Sequence, residues 1–318
     1  MPRSRQSALL ALIAAAALTL SGCADPAEPG ASTAGKGEAE KGDTPTTDVV
    51  SQVKKDEAAA KLLPEEVRKA GTLRIAAATG SPPGAFYEKD GTTLSGADID
   101  FADAVAKVLG IELKREVASF EAILPALGSG KYDLGTGNFG VTGVRRKTID
   151  FVTYINDGQG FAVRDDSELK QVTDLTDLCG LNVATGAGTT FEVTLQENLP
   201  RCAEKGKKPY EVKTYADPAA VWLSLKQGRT DVNMSTINGL RYAVSQQDGV
   251  RFLNEYKRLD VGFAFKKGSP LTPAFQAAVN QLKKDGTYDR ILTKWGTTES
   301  AIETSQISPP ELKGPEPK

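Results

Sequence analysis

The chain has 318 residues, with 39 basic and 41 acidic side chains, a formal charge of −2 and no histidine. Without imidazole there is no Ser-His-Asp or Cys-His nucleophile, no histidine-containing metal site and no histidine proton relay, and three cysteines cannot supply a four-thiolate zinc cage. The balanced charge lacks the basic excess of a nucleic-acid binder, so no nucleic acid, metal or cofactor is expected.

Residues 1–22 read as a secretory signal: Arg3 and Arg5 precede an apolar run from Ala8 to Leu20 that is short for a membrane span. The segment ends in Leu20-Ser21-Gly22-Cys23. These four residues resemble the lipobox of bacterial lipoproteins, which implies lipidation at Cys23 and a membrane anchor. An ordinary secreted protein with a chance cysteine is the alternative. Residues 23–60 are rich in Gly, Ala, Pro, Thr, Glu and Lys, and read as a flexible tether. Cys179 and Cys202 remain, and in an exported chain they form one disulfide most simply, or else stay as two separate thiols.

From residue 61 the chain alternates short strand-like runs with amphipathic stretches, the pattern of an α/β fold with parallel strands covered on both faces. Leu73–Ala78, Leu113–Val117 and Tyr132–Thr136 are predicted strands, with helices at Asp98–Leu109 and Phe120–Leu127 between them. A second series places strands at Leu181–Thr185, Val212–Tyr215 and Val232–Met234, and helices starting near Thr189, Asp217 and Ile237. Gly160–Val163 and Val261–Phe265 read as a pair of crossover strands, a hinge between two lobes. Lobe 1 then comprises residues 61–162 and, on its return, 261–296; lobe 2 spans 163–260; residues 297–318, with little periodic apolar character, read as a disordered tail.

In open α/β sheets the ligand crevice lies beyond the carboxyl ends of the strands. That rule selects Thr79–Ser81, Ser119-Phe120 and Gly137–Gly140 in the first series, and Gly186–Thr190, Ala216-Asp217 and Ser235-Thr236 in the second. A helix opening at Thr189-Thr190 presents free amides to an anion, and Arg145 offers a guanidinium just after the third strand. Together they suit a small carboxylate.

Four stretches in order then carry a resemblance: Gly96-Ala97-Asp98-Ile99-Asp100-Phe101; Ile123–Leu127 with Gly130–Asp133; Thr142–Lys147 with Ile149-Asp150-Phe151; and Asp285–Tyr288 with Lys294-Trp295-Gly296. They resemble the family 3 solute-binding proteins, receptors of polar amino-acid ABC importers. The resemblance implies a type II periplasmic-binding-protein fold with two crossover hinge strands. It also implies a lipid-anchored monomer on the extracytoplasmic face of the membrane, delivering a small solute to ABC permease and ATPase subunits. By resemblance Arg145 forks the ligand carboxylate, Phe120 covers the side chain, Thr189 and Thr190 donate to the carboxylate, and Asn138 and Gly140 contribute backbone contacts. Three positions depart from the family pattern. Ala97 replaces a bulky residue. Gly84 replaces a common aromatic, leaving Phe86 or Tyr87 to supply that wall. Thr236 stands where amino-acid receptors carry the aspartate that meets the α-ammonium, so Glu88, Asp157 or Asp217 must replace it, or the ligand is not a standard amino acid. A dehydratase-like enzyme on the same fold and a sensory lipoprotein are the alternatives to a receptor.

Overall fold

A computed structural model describes residues 44–314. The export signal and Cys23 lie outside the described residues. In chain order the elements are α1 (Glu57–Lys61), α2 (Glu65–Ala70), β1 (Thr72–Ala77), β2 (Phe86–Tyr87), β3 (Leu94–Ser95), α3 (Ala97–Leu109), β4 (Glu112–Val117), α4 (Phe120–Ser129), β5 (Leu134–Thr136) and β6 (Ile149–Arg164). There follow β7 (Asn182–Gly186), α5 (Thr190–Asn198), α6 (Pro200–Glu204), β8 (Glu211–Tyr215), α7 (Pro218–Lys226), β9 (Val232–Thr236), α8 (Ile237–Gln246), β10 (Val250–Lys266), α9 (Thr272–Lys284) and α10 (Thr287–Lys294).

The main sheet has the order β4-β1-β5-β10-β6-β9-β7-β8. At one end β1 pairs in parallel with β4 and β5; at the other β7 pairs in parallel with β8 and β9. The two long strands β6 and β10 run antiparallel between these ends, from Ile149 opposite Lys266 to Arg164 opposite Val250. The two segments expected to cross side by side therefore do not face each other: Gly160 lies opposite Glu255, whereas Val261 lies opposite Ile155. The middle of the crossing falls at Asp157-Gly158 against Arg258-Leu259. Gly158 is required there by close approach, because a β carbon would lie 2.1 Å from the Lys257 carbonyl oxygen.

Each half has its own core. In the first, Phe101, Tyr154, Phe263, Phe275 and Tyr288 are buried between the sheet and α3, α9 and α10, with ring centroids 4.7–5.7 Å apart. The opposite face of that half buries Ile123, Leu127, Phe139 and Phe151 under α4. In the second half Phe161, Val183, Leu195, Tyr210 and Met234 form the cluster. The 3.6-residue spacing of Phe101, Val105 and Val108 along α3 accounts for its buried stripe.

Both segments read as solvated differ from that expectation. In residues 44–60, the described part of the supposed tether, Val49 and Ala59 join the first core with Val50 and Val53 packed against it, and Asp56 N donates to Val108 O, because these few aliphatic residues find an apolar surface at α9 and α3. At the other end the chain beyond 296 is not a loose tail. It returns along β6: Val152 bridges Ile307, Thr153 N donates to Gln306 O, and Ser308 N donates to Phe151 O. Glu311 then accepts from Gly143 N and Lys257 Nζ. Here edge hydrogen bonds and an ion pair, rather than apolar periodicity, hold the segment, so a pattern search does not register it.

Cys179 and Cys202 are bonded, with Cα atoms 5.7 Å apart and a sequence separation of 23. The bridge ties the turn at Leu175–Leu178 to α6, beside the Arg201–Asp174 ion pair at 2.6 Å. Closing a loop of this length restricts the unfolded chain, so replacing both cysteines by alanine is expected to cost about 3 kcal/mol. Chemical denaturation of the two forms measures it, and coincident midpoints would deny the bridge that weight.

Candidate functional site

The carboxyl ends of β1, β4 and β5 face those of β7, β8 and β9 across a cavity of about 510 Å³. Thr79–Ser81, Ser119, Phe120 and Asn138 line it from the first half, and Gly186, Thr189, Thr190, Asp217, Ser235 and Thr236 from the second. Both sets lie where strands hand over to helices, as an open α/β sheet requires.

Arg145 opens a short 3-10 turn, Arg145–Lys147, after β5. Its Nη1 donates to Gly140 O at 3.1 Å, its backbone amide to Thr142 Oγ1, and its guanidinium carbon lies 5.6 Å from the Phe120 ring centroid and 6.0 Å from that of Phe139. The two rings stack at 4.8 Å. Cation–π contact and one carbonyl thus aim the group. Among the described residues no carboxylate pairs with it, and loss of solvent pushes its pKa down to about 10. A desolvated cation without a counter-charge favours an anion in the cavity.

Two buried acids meet at Asn138, a residue in the left-handed region with φ 54°. Its Nδ2 donates to Asp157 at 2.9 Å, and its backbone amide donates to Asp98. Asp157 also accepts from Asn238 N, so it fastens the loop after β5 to the start of α8 and does not line the cavity. Asp98 does line it, from the first turn of α3. Tyr154 Oη donates to Asp98 at 2.6 Å; burial pushes the carboxyl up to about 6, hydrogen bonds from Tyr154 and Asn138 oppose that, and Asp157 adds to it.

In the second half Thr189 caps α5, accepting from Glu192 N while its hydroxyl donates to Gly186 O at 2.7 Å. The first-turn amides of Thr190 and Phe191 have no intrahelical acceptor and are positioned to receive an anion. Gln159, on the crossing strand β6, holds that turn through Nε2 to Thr194 Oγ1 at 2.9 Å and to Thr190 O. Thr236 caps α8 by accepting from Gly239 N.

Residues 73–298 match the bacterial extracellular solute-binding proteins, family 3. This chain belongs to that family. The solute-binding protein is 31% identical over 252 residues to the arginine-binding protein ArgT of Corynebacterium glutamicum, covering 78% of this chain and 81% of that one. It is 31% identical to the ABC transporter glutamine-binding protein GlnH of Bacillus subtilis, covering 64% and 72%. Among solved structures it is similar to the ancestral amino acid-binding protein AncCDT-1, a precursor of cyclohexadienyl dehydratase, with a TM-score of 0.65, 31% identity and coverage of 74% and 99%. The type II two-lobed α/β fold expected from sequence is the fold of these relatives.

Within the solute-binding protein, Phe120, Asn138, Arg145, Thr189, Thr190 and Thr236 all line one cavity, and Gly140 does not. Gly140 acts one step back, through the carbonyl that orients Arg145. Neither Phe86 nor Tyr87 forms the missing wall: Phe86 packs edge-on against Trp295 and Tyr87 is exposed, while Pro83 and Gly84 line the cavity. Of Glu88, Asp157 and Asp217, only Asp217 reaches the cavity, where it also caps α7. The two aspartates of the Asp98-Ile99-Asp100 stretch divide: Asp100 accepts from Trp295 Nε1 and pairs with Lys294, and Asp98 faces the site. Residue type alone does not separate Asp98 from Asp100 within that stretch. The signal for Asp98 is position: it stands in the first turn of α3, the first helix after β1.

Proposed function

We propose that this solute-binding protein is the lipid-anchored receptor of an ABC importer and captures a small polar solute bearing a carboxylate, an amino acid or a close analogue, by hinge closure. The observation that carries the reading is Arg145, a desolvated guanidinium in the cavity with no described counter-ion. Carboxylate oxygens would take the Arg145 fork from one half and the Thr190 and Phe191 amides from the other, contacts that coexist only when the halves approach. Asp98 supplies the negative charge that Thr236 lacks, so the ammonium is received on the first half rather than the second. The names of the relatives, which bind arginine and glutamine, agree with an α-amino acid.

A thermal-shift panel of amino acids, amines and sugars tests this, since a ligand at 100 times its Kd adds about 2.7 kcal/mol of stability. Shifts from α-amino acids are expected; shifts from sugars alone would overturn the Arg145 assignment. An enzymatic reading has one observation in its favour, the Asp98 carboxyl with its pKa near 6 in the cleft. Mass spectrometry of the solute after prolonged incubation separates the two, and intact recovery is expected.

A further inference from the structure

We infer that the cleft has a second recognition point in its other half: the Asn233 amide, which reads the far end of the solute as a neutral group offering a hydrogen-bond donor and acceptor side by side, such as a carboxamide or ureido group. The inference rests on the reading of Arg145 as the carboxylate partner.

Asn233 is 1% exposed and lines the cavity, yet among the described residues neither Oδ1 nor Nδ2 has a hydrogen-bond partner. Buried amides almost always have one. The sheet explains why none comes from the neighbouring strands. Asn233 lies in register with Ala162 on β6 and Ala184 on β7, whose methyl groups flank it and cannot hydrogen-bond. Its strand neighbours Val232 and Met234 belong to the apolar cluster on the opposite face. Two residues on, Ser235 lines the cavity on the same face as Asn233 and lies opposite Gly160, so the floor leading to the amide is kept low.

Depth sets the ligand's length. Asn233 stands three residues before the end of β9, about 10 Å below the strand's rim. Pro218, Val221 and Trp222 of α7 and Gly239 of α8 line the same cavity. A short side chain does not span from the rim to this floor. The one carboxylate this half contributes to the lining, Asp217, is exposed at the helix start. A charged end beside Asn233 would therefore be buried without a counter-ion, which favours a neutral one.

Isothermal titration calorimetry with L-glutamine, L-citrulline, L-glutamate and L-norleucine, on the protein and its Asn233→Leu variant, tests this. L-Glutamine or L-citrulline is expected to bind at least tenfold more tightly than L-norleucine and L-glutamate, and Asn233→Leu to erase that advantage. The same order of affinities in the variant would overturn the inference and leave the receptor reading standing. Binding of other α-amino acids with none of these four probes bound would do the same. Failure of every α-amino acid to bind would overturn the receptor reading itself. Should Asn233→Leu not fold, the Asn233 side-chain amide resonances of the unaltered protein serve instead: they are expected to shift on adding L-glutamine or L-citrulline, and unmoved resonances with ligand bound would overturn the inference.

Discussion

Arg145→Ala is expected to weaken binding of an α-carboxylate solute by about 3–5 kcal/mol, a hundredfold or more, because it leaves the carboxylate in the cleft without its charged partner. Arg145→Lys should recover only part of this. Lysine keeps the charge but loses the planar fork and its stacking over Phe120. Without ligand, the alanine variant should be no less stable than the parent, since the guanidinium is held against desolvation by one carbonyl and two rings and by no described carboxylate. Calorimetric titration with the strongest ligand from the thermal-shift panel, alongside denaturation of the unliganded forms, reads both effects. An alanine variant that binds as tightly as the parent would remove Arg145 from the site.

The second large effect concerns Asp98. Its carboxyl is pushed from 3.8 to about 6 by burial, so in the unliganded protein the ionised form is the unfavourable one. Between those two values the folded state holds a proton that the unfolded state has released, and this group's contribution to stability falls as pH rises through that window. Above pH 6 the whole cost stands, on the order of 3 kcal/mol. Asp98→Asn keeps an acceptor for Tyr154 and removes the charge, so the unliganded variant should be the more stable form at pH 7, with the gap closing toward pH 4. Binding should move the other way: an α-ammonium solute loses its buried charge partner and about a hundredfold in affinity. For the unaltered protein, affinity for such a solute should decline as pH drops below about 6. Tyr154 and Asp157 face Asp98; the Tyr154 hydroxyl is raised well above 10 by burial and stays neutral there, and Asp157 is raised in the same direction as Asp98. Paired melts and titrations from pH 4 to 7.5 test this, and a pH-independent gap between the two proteins would show that Asp98 does not titrate there.

The handover points of the sheet were legible in the sequence, because strand ends and helix starts carry strong local marks: Gly137, Gly186, and the caps Thr189 and Thr236. Those marks place most of the lining. What they miss is set by register. The crossing strands are 16 and 17 residues long, but only four or five residues of each have an unbroken apolar run. The rest includes Asp157 and Gln159, fully buried and polar, whose partners Asn138, Asn238 and Thr194 come from three other elements. Such long-range pairing leaves no periodic trace. Asn233 reads as an ordinary strand residue until its neighbours across β6 and β7 prove to be alanines.

The order of strands also bears on how the chain assembles. β10 lies between β5 and β6, although those two follow one another in sequence. The first half of the sheet therefore remains split until residues 250–266 are inserted between β5 and β6, and α9, α10 and the returning segment to Glu311 close over it only afterwards. The second half, from the end of β6 through α8 to the start of β10, is one continuous stretch with its own disulfide. The half built from the middle stretch is thus the one able to finish first, and the half that opens with β1 must wait for β10 and the helices that follow it.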